Sequence, residues 1–143
     1  MPEDYRKKEG IMKVNEIMRP ARTIAQDETV KEAAKEMNEH RIGSLIVLND
    51  RKGIAGIITE GDILGKVTAE NKLPSSVNVC QIMTKKLITI EPDAKIDDAV
   101  YLMIKHKIKK LPVVGEKDDL LGIVTTTDLI NNSDDLGQFY MFD

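Results

Sequence analysis

A chain of 143 residues, 41% hydrophobic and 31% charged, has an ordinary globular balance and enough length to bury one core. Its formal net charge of -3 and pI near 5.5 provide no global positive field to draw it onto nucleic acid or an anionic membrane, so any anion site has to be local. The single cysteine, Cys80, excludes an intrachain disulfide and a cysteine-based zinc cage, no apolar run approaches the roughly 20 residues that span a bilayer, and a reducing cytoplasm fits this composition.

Residues 1–13 begin MPEDYRKKEG, which is polar, mixed in charge and without an apolar core region. They read as a flexible extension and not as a signal peptide. Val14, Ile17 and Met18 open a first repeat over 14–70. After a leading strand, Val30, Ala33, Ala34 and Met37 recur at i, i+3, i+4 and i+7, which predicts one amphipathic helix ending near His40, with Thr29 and Glu32 as its capping box. SLIVL (44–48) and IAGII (54–58) predict paired strands, and a final helix starts at Thr59. Residues 71–78, with Pro74, Ser75 and Ser76, form the linker. The second repeat, 79–131, follows the same order: a helix on Ile96, Ala99, Val100 and Met103 starting near Asp93 or Lys95 and ending near His106, strands on LPVV (111–114) and LLGIV (120–124), and a last helix from Thr125. Pro112 has no N–H to donate, which suits the opening of a strand and not its middle. The acidic tail, 132–143, holds Phe139, Tyr140 and Phe142, a cluster that predicts docking on the chain's own core or on a symmetry mate.

The order repeats because the sequence does. An offset of 66 residues lays Thr23 on Thr89, Asp27 on Asp93, Met37 on Met103, His40 on His106, Gly56 on Gly122, Thr59 on Thr125 and Asp62 on Asp128; an offset of 65 lays Val14, Ile17 and Met18 on Val79, Ile82 and Met83. Two copies are too few for a solenoid, so the halves are expected to pack face to face as one α+β unit of two tandem β-α-β-β-α repeats.

Chemistry concentrates in GIITEGD (56–62) and GIVTTTD (122–128), where the third strand meets the last helix. First-turn amides there favour an anion, and the Thr59 or Thr125 hydroxyl is placed to donate to a phosphate oxygen. A carboxylate would repel that phosphate, but Asp62 and Asp128 can each accept hydrogen bonds from the two hydroxyls of a ribose. The same Thr-x-x-Asp spacing also fits a capping box that needs no ligand, contributing about 0.5–2 kcal/mol per helix. His40 and His106 end their helices at equivalent positions and read as structural. No third metal ligand or activated serine accompanies them at a recognisable spacing, which speaks against catalysis and a metal site.

IMR (17–19) and IMT (82–84), the Ala/Met helix face, KKLPVV (109–114) and the two GI(I/V)TxxD segments together resemble the CBS-domain (cystathionine-beta-synthase-domain) family from Val14 to about Asn131. The resemblance implies a non-catalytic regulatory pair of repeats about a pseudo-twofold axis, binding AMP, ADP or ATP in related clefts and signalling through ligand-dependent packing of repeats or subunits. S-adenosylmethionine binding, or a ligand-free interaction scaffold with vestigial clefts, is the alternative. It assigns Thr59 with Asp62, and Thr125 with Asp128, to phosphate and ribose, and the backbone around Thr23, Ile24, Ile88 and Thr89 to the adenine. Pro112 joins the ligand-binding set, and Lys109 and Lys110 reach across to serve the cleft of Asp62. The first repeat carries Gly43 and Ser44 in place of those lysines, so the cleft of Asp128 receives only a small hydroxyl and the two clefts are expected to be unequal. Homodimerisation through helical faces and an effector protein as partner are further implications of the resemblance, with His106 and Lys107 as secondary phosphate contacts.

Overall fold

The computed structural model describes residues 12–132. The aromatic tail segment and most of the N-terminal extension lie outside these residues. The chain divides into two compact units, 21–87 on one side and, on the other, 88–132 together with the leading residues up to Pro20.

In the unit 21–87, β1 (Thr23–Ala25) leads into α1 (Val30–His40), then β2 (Ser44–Leu48) and β3 (Ile54–Thr59). The sheet order is β1-β2-β3, with β1 parallel to β2 and β2 antiparallel to β3, and Ser44 sits opposite Thr59. The face of α1 foreseen from the sequence is the buried one: Val30, Ala33 and Met37 join Leu45, Val47 and Ile58 in the core. Thr29 caps α1 by accepting from the Glu32 amide at 3.2 Å, half of the expected capping box. The helix stops because Arg41 turns left-handed (φ 54°), as Lys107 does after the second helix (φ 55°), a conformation glycine adopts at less cost. After β3, α2 (Glu60–Ile63) runs into a π-helical stretch, Leu64–Thr68, and α3 (Val79–Ile82) closes the unit.

α3 opens the second sequence repeat yet packs in the first unit, with Val79 and Ile82 in its core. The linker is docked rather than free: the Val30 amide donates to the Val77 carbonyl and the Val79 amide to the Glu28 carbonyl, both at 2.8 Å. The other unit repeats this arrangement with exchanged segments. A 3-10 turn (Val14–Glu16) from the first repeat supplies Val14 and Ile17 to a core of Ile96, Ala99, Met103, Leu111, Val113, Val124 and Leu129. Its elements are α4 (Ile96–His106), β4 (Lys110–Val114), β5 (Leu120–Thr125) and α5 (Thr126–Asn131). Each compact unit is therefore one repeat's sheet and helices plus the other repeat's leading segment.

Two expectations about the second repeat are corrected. Its first strand, expected to match that of the first repeat, contracts to a single parallel bridge between Ile90 and Val113. Pro112 lies in the middle of β4 and not at its opening. One cause explains both. In the first unit the Ile46 amide donates to the Arg22 carbonyl at 3.0 Å. Pro112 occupies the matching position and has no N–H, so the bond that would extend the first strand is missing. Pro112 is tolerated in mid-strand because its edge faces away from β5: its carbonyl accepts from the Ile90 amide at 3.0 Å.

Candidate functional site

The strand-to-helix junction has the same geometry in both units. Thr59 is extended (φ -120°, ψ 164°) and caps α2; Thr125 (φ -115°, ψ 165°) caps α5. The Asp62 amide donates to Thr59 Oγ1 at 3.1 Å, while Asp62 Oδ2 accepts from the Thr59 amide at 3.0 Å and from Thr59 Oγ1 at 3.1 Å. For Asp128 and Thr125 the corresponding distances are 3.2, 3.0 and 2.9 Å. The capping box is thus real at both places. Each threonine's only hydroxyl proton is committed to the aspartate, so reaching a phosphate oxygen requires it to let go of the carboxylate.

The box occupies only Oδ2. Both aspartates are buried, 8% and 5% exposed, and their Oδ1 atoms meet cations that reading the sequence did not place there. Asp62 Oδ1 lies 3.0 Å from Lys66 Nζ, which also donates to the Ile82 carbonyl at 2.9 Å, and 3.5 Å from the Thr84 hydroxyl. Asp128 Oδ1 lies 3.2 Å from Arg19 Nε. Lys66 follows Asp62 by one helical turn, a spacing that signals an ion pair. Arg19 carried a fainter signal: the offset of 65 puts it on Thr84, so the segments IMR and IMT deliver matching residues to matching carboxylates.

The leading segments are held by backbone pairing. Ile57 and Thr84 exchange two hydrogen bonds (2.9 and 2.8 Å), as do Ile123 and Arg19 (2.8 and 2.9 Å). The glycines of the motif permit this. A Cβ on Gly56 would stand 2.6 Å from the Thr84 carbonyl oxygen, and one on Gly122 would stand 2.8 Å from that of Arg19.

The remaining residues foreseen from the sequence divide between the units. Thr23, Ile24, Ser44, Thr59 and Asp62 share the unit 21–87, with Ile24 buried in its core. Ile88, Thr89, Lys109, Lys110, Pro112, Thr125 and Asp128 share the other. Lys110 pairs with Thr125 across β4 and β5 as Ser44 pairs with Thr59, and the Lys109 carbonyl accepts from the Thr126 amide as the Gly43 carbonyl does from Glu60, both at 3.0 Å. Gly43-Ser44 and Lys109-Lys110 are therefore structural equivalents, with two cations on one side and none on the other. His40 Nε2 lies 3.4 Å from Glu36 of its own helix, and His106 is exposed at the end of α4.

A duplicated junction of this kind has known relatives. The sequence profile of the CBS domain matches residues 14–69 and again 79–135. The chain belongs to the CBS-domain family. As a CBS-domain pair it is 40% identical over 108 residues to an uncharacterized protein of Methanopyrus kandleri, covering 76% of this chain and 55% of that one. The chain spans between half and three fifths of the length of the curated relatives it first matches. Among solved structures it resembles a CBS-domain protein from Burkholderia ambifaria (32% identity, TM-score 0.75, covering 84% of this chain and 92% of that one). It also resembles the CBS domain pair of protein MJ0100, solved in complex with 5′-methylthioadenosine and S-adenosyl-L-methionine (31% identity, TM-score 0.73, 84% and 98% covered). These likenesses establish the tandem α+β fold expected from the sequence. Among the described residues no helix is long and apolar enough to cross a membrane.

Proposed function

We propose that this chain is a non-catalytic regulatory module that binds an adenosine-containing ligand, an adenine nucleotide in the first place, at the junctions of Asp62 and Asp128. One observation carries the reading. A helix cap uses one carboxylate oxygen, whereas in both units the second oxygen of a buried aspartate is met by a well-exposed cation, Lys66 at 50% and Arg19 at 71% side-chain exposure. Partners of this kind are exchangeable, and a ribose hydroxyl is a donor that can replace them. The adenosyl compounds bound to the CBS pair of MJ0100 support the ligand class. Thr23, Ile24, Ile88 and Thr89 offer backbone to the base, Pro112 and Ser44 border the junctions, and Lys109 and Lys110 supply charge for phosphates. S-adenosylmethionine is the second ligand this reading admits.

The test is the thermal midpoint of the purified chain with AMP, ATP and S-adenosylmethionine, with 2′-deoxy nucleotides as controls. A ligand at about 100 times its Kd stabilises by roughly 2.7 kcal/mol, a shift of several degrees. Stabilisation by a ribonucleotide that its deoxy form fails to match supports the reading. No shift with any compound returns the junctions to helix capping and the chain to an interaction scaffold.

Homodimerisation through the helical faces belongs to the same reading. Leu64 and Ile130, equivalent in the two repeats, are 66% and 38% exposed, and Tyr101 and Ile104 stand out from α4 at 61% and 49%. The Leu64→Lys/Ile130→Lys variant is expected to sediment as a monomer where the unmodified chain sediments as a dimer; a monomeric unmodified chain refutes the dimer. Ligand binding would then bias how the module engages its second copy or an effector protein.

A further inference from the structure

We propose that Arg19 makes the Asp128 junction selective for an adenosine ligand that carries a phosphate, by exchanging its guanidinium from the aspartate to that phosphate. The proposal rests on the adenosine reading given above and assigns one site its ligand class.

The two junctions share their threonine and aspartate but not their cation. At Asp62 the cation is Lys66, doubly anchored on Oδ1 and on the Ile82 carbonyl at 3.0 and 2.9 Å. The offset of 66 places Asn132 where Lys66 would be, and its side-chain amide donates to the backbone carbonyl of Asp128 at 2.6 Å, not to the carboxylate. Among the described residues the cation that meets buried Asp128 Oδ1 is Arg19, which stands where the other unit has the uncharged Thr84.

Arg19 is built to move at its side chain alone. Its amide and carbonyl are pinned to Ile123 at 2.9 and 2.8 Å, while its side chain is 71% exposed and meets Asp128 through Nε at 3.2 Å. A ribose hydroxyl donating to Asp128 Oδ1 competes with that Nε–H. The displaced guanidinium is always charged and offers a planar set of donors matched to phosphate oxygens. A nucleoside monophosphate thus replaces the lost ion pair with a new one. An uncharged nucleoside breaks the pair and returns nothing to Arg19. Lys110 lies opposite Thr125 on the neighbouring strand, so the contribution of Arg19 is read as the change on replacing it, not as the whole preference for anions.

The experiment titrates the full chain, labelled with nitrogen-15 at arginine, with AMP and with adenosine. It follows the arginine Nε–Hε signals by NMR and both affinities by calorimetry. Loss of one signal in Arg19→Thr, which installs the residue found at Thr84, assigns the Arg19 resonance; Arg19→Lys retains a charge without the planar donors. The expected result is a preference for AMP over adenosine of about tenfold or more at the junction whose filling moves the Arg19 signal. In Arg19→Thr that preference falls towards unity while adenosine binds as well or better, and Arg19→Lys lies between. An unchanged AMP-to-adenosine ratio in Arg19→Thr, or an Arg19 signal that responds identically to both compounds, overturns the proposal while leaving adenosine binding intact. Failure of both compounds to bind the unmodified chain overturns the adenosine reading and this proposal with it.

Discussion

In the Asp62→Asn/Asp128→Asn double variant, an adenine ribonucleotide is expected to stabilise the protein no more than its 2′-deoxy counterpart does. The substitution keeps shape and one carbonyl oxygen but removes the charge and replaces the second oxygen by an amide. That amide cannot accept a hydroxyl proton, and it meets Lys66 or Arg19 as one donor facing another. Hydrogen bonds to a charged group are worth about 1.5–3 kcal/mol each, so binding weakens by roughly ten- to a hundredfold per junction. The variant also loses stability, because the buried carboxylates serve the caps. Thr59→Ala and Thr125→Ala separate the two effects: each removes a cap hydroxyl, costs about 0.5–2 kcal/mol, and leaves the carboxylate in place. A junction that recognises ribose keeps its ribo-over-deoxy difference in the threonine variants and loses it in the asparagine variants. Equal loss in both sets would reduce the aspartates to structural caps.

Much of this was legible in the sequence, and what was not has identifiable causes. The helix faces of Val30–Met37 and Ile96–Met103, and the helix ends at His40 and His106, follow from apolar periodicity. Periodicity states that a face is buried and not against which partner, so the exchange of leading segments, which puts Val79 in one core and Val14 in the other, was hidden. The left-handed Arg41 and Lys107 carried no glycine to announce them. Pro112 was misplaced because whether a missing N–H matters depends on which edge of the strand it faces, a property of sheet order. The Thr-x-x-Asp spacing fits both a cap and a ribose contact, and the capping half is present in the geometry. Arg19, the third letter of IMR, gives no sign of its role because nothing local ties it to Asp128; the contact exists only once the first repeat's leading segment has crossed to the second repeat's sheet.

That crossing makes the motif glycines the second place where a small change has a large effect. Gly56 and Gly122 lie within strands at ordinary negative φ, so no conformational demand requires glycine there. On backbone entropy alone, Gly→Ala would stabilise such a position by about 0.5–1 kcal/mol. Space reverses the sign. The new methyl would sit 2.8 Å from the Arg19 carbonyl oxygen and 3.1 Å from Met18 Sδ in Gly122→Ala, and 2.6 Å from the Thr84 carbonyl oxygen and 3.1 Å from Met83 Sδ in Gly56→Ala. The nearest atom in each case belongs to backbone, which cannot step aside without breaking the paired bonds to Ile123 or Ile57. Each variant is therefore expected to lose roughly 1–3 kcal/mol in denaturant unfolding, with faster hydrogen exchange at the Ile123 or Ile57 amide. Gly65→Ala provides the control, since nothing lies within 4 Å of its Cβ and its helical backbone gains up to about 1 kcal/mol from alanine. Stabilisation by all three substitutions would show that the leading segments do not approach their strands as described. Destabilisation at Gly122, with the AMP preference lost as in Arg19→Thr, would tie the packing of that glycine to the charge it positions over Asp128.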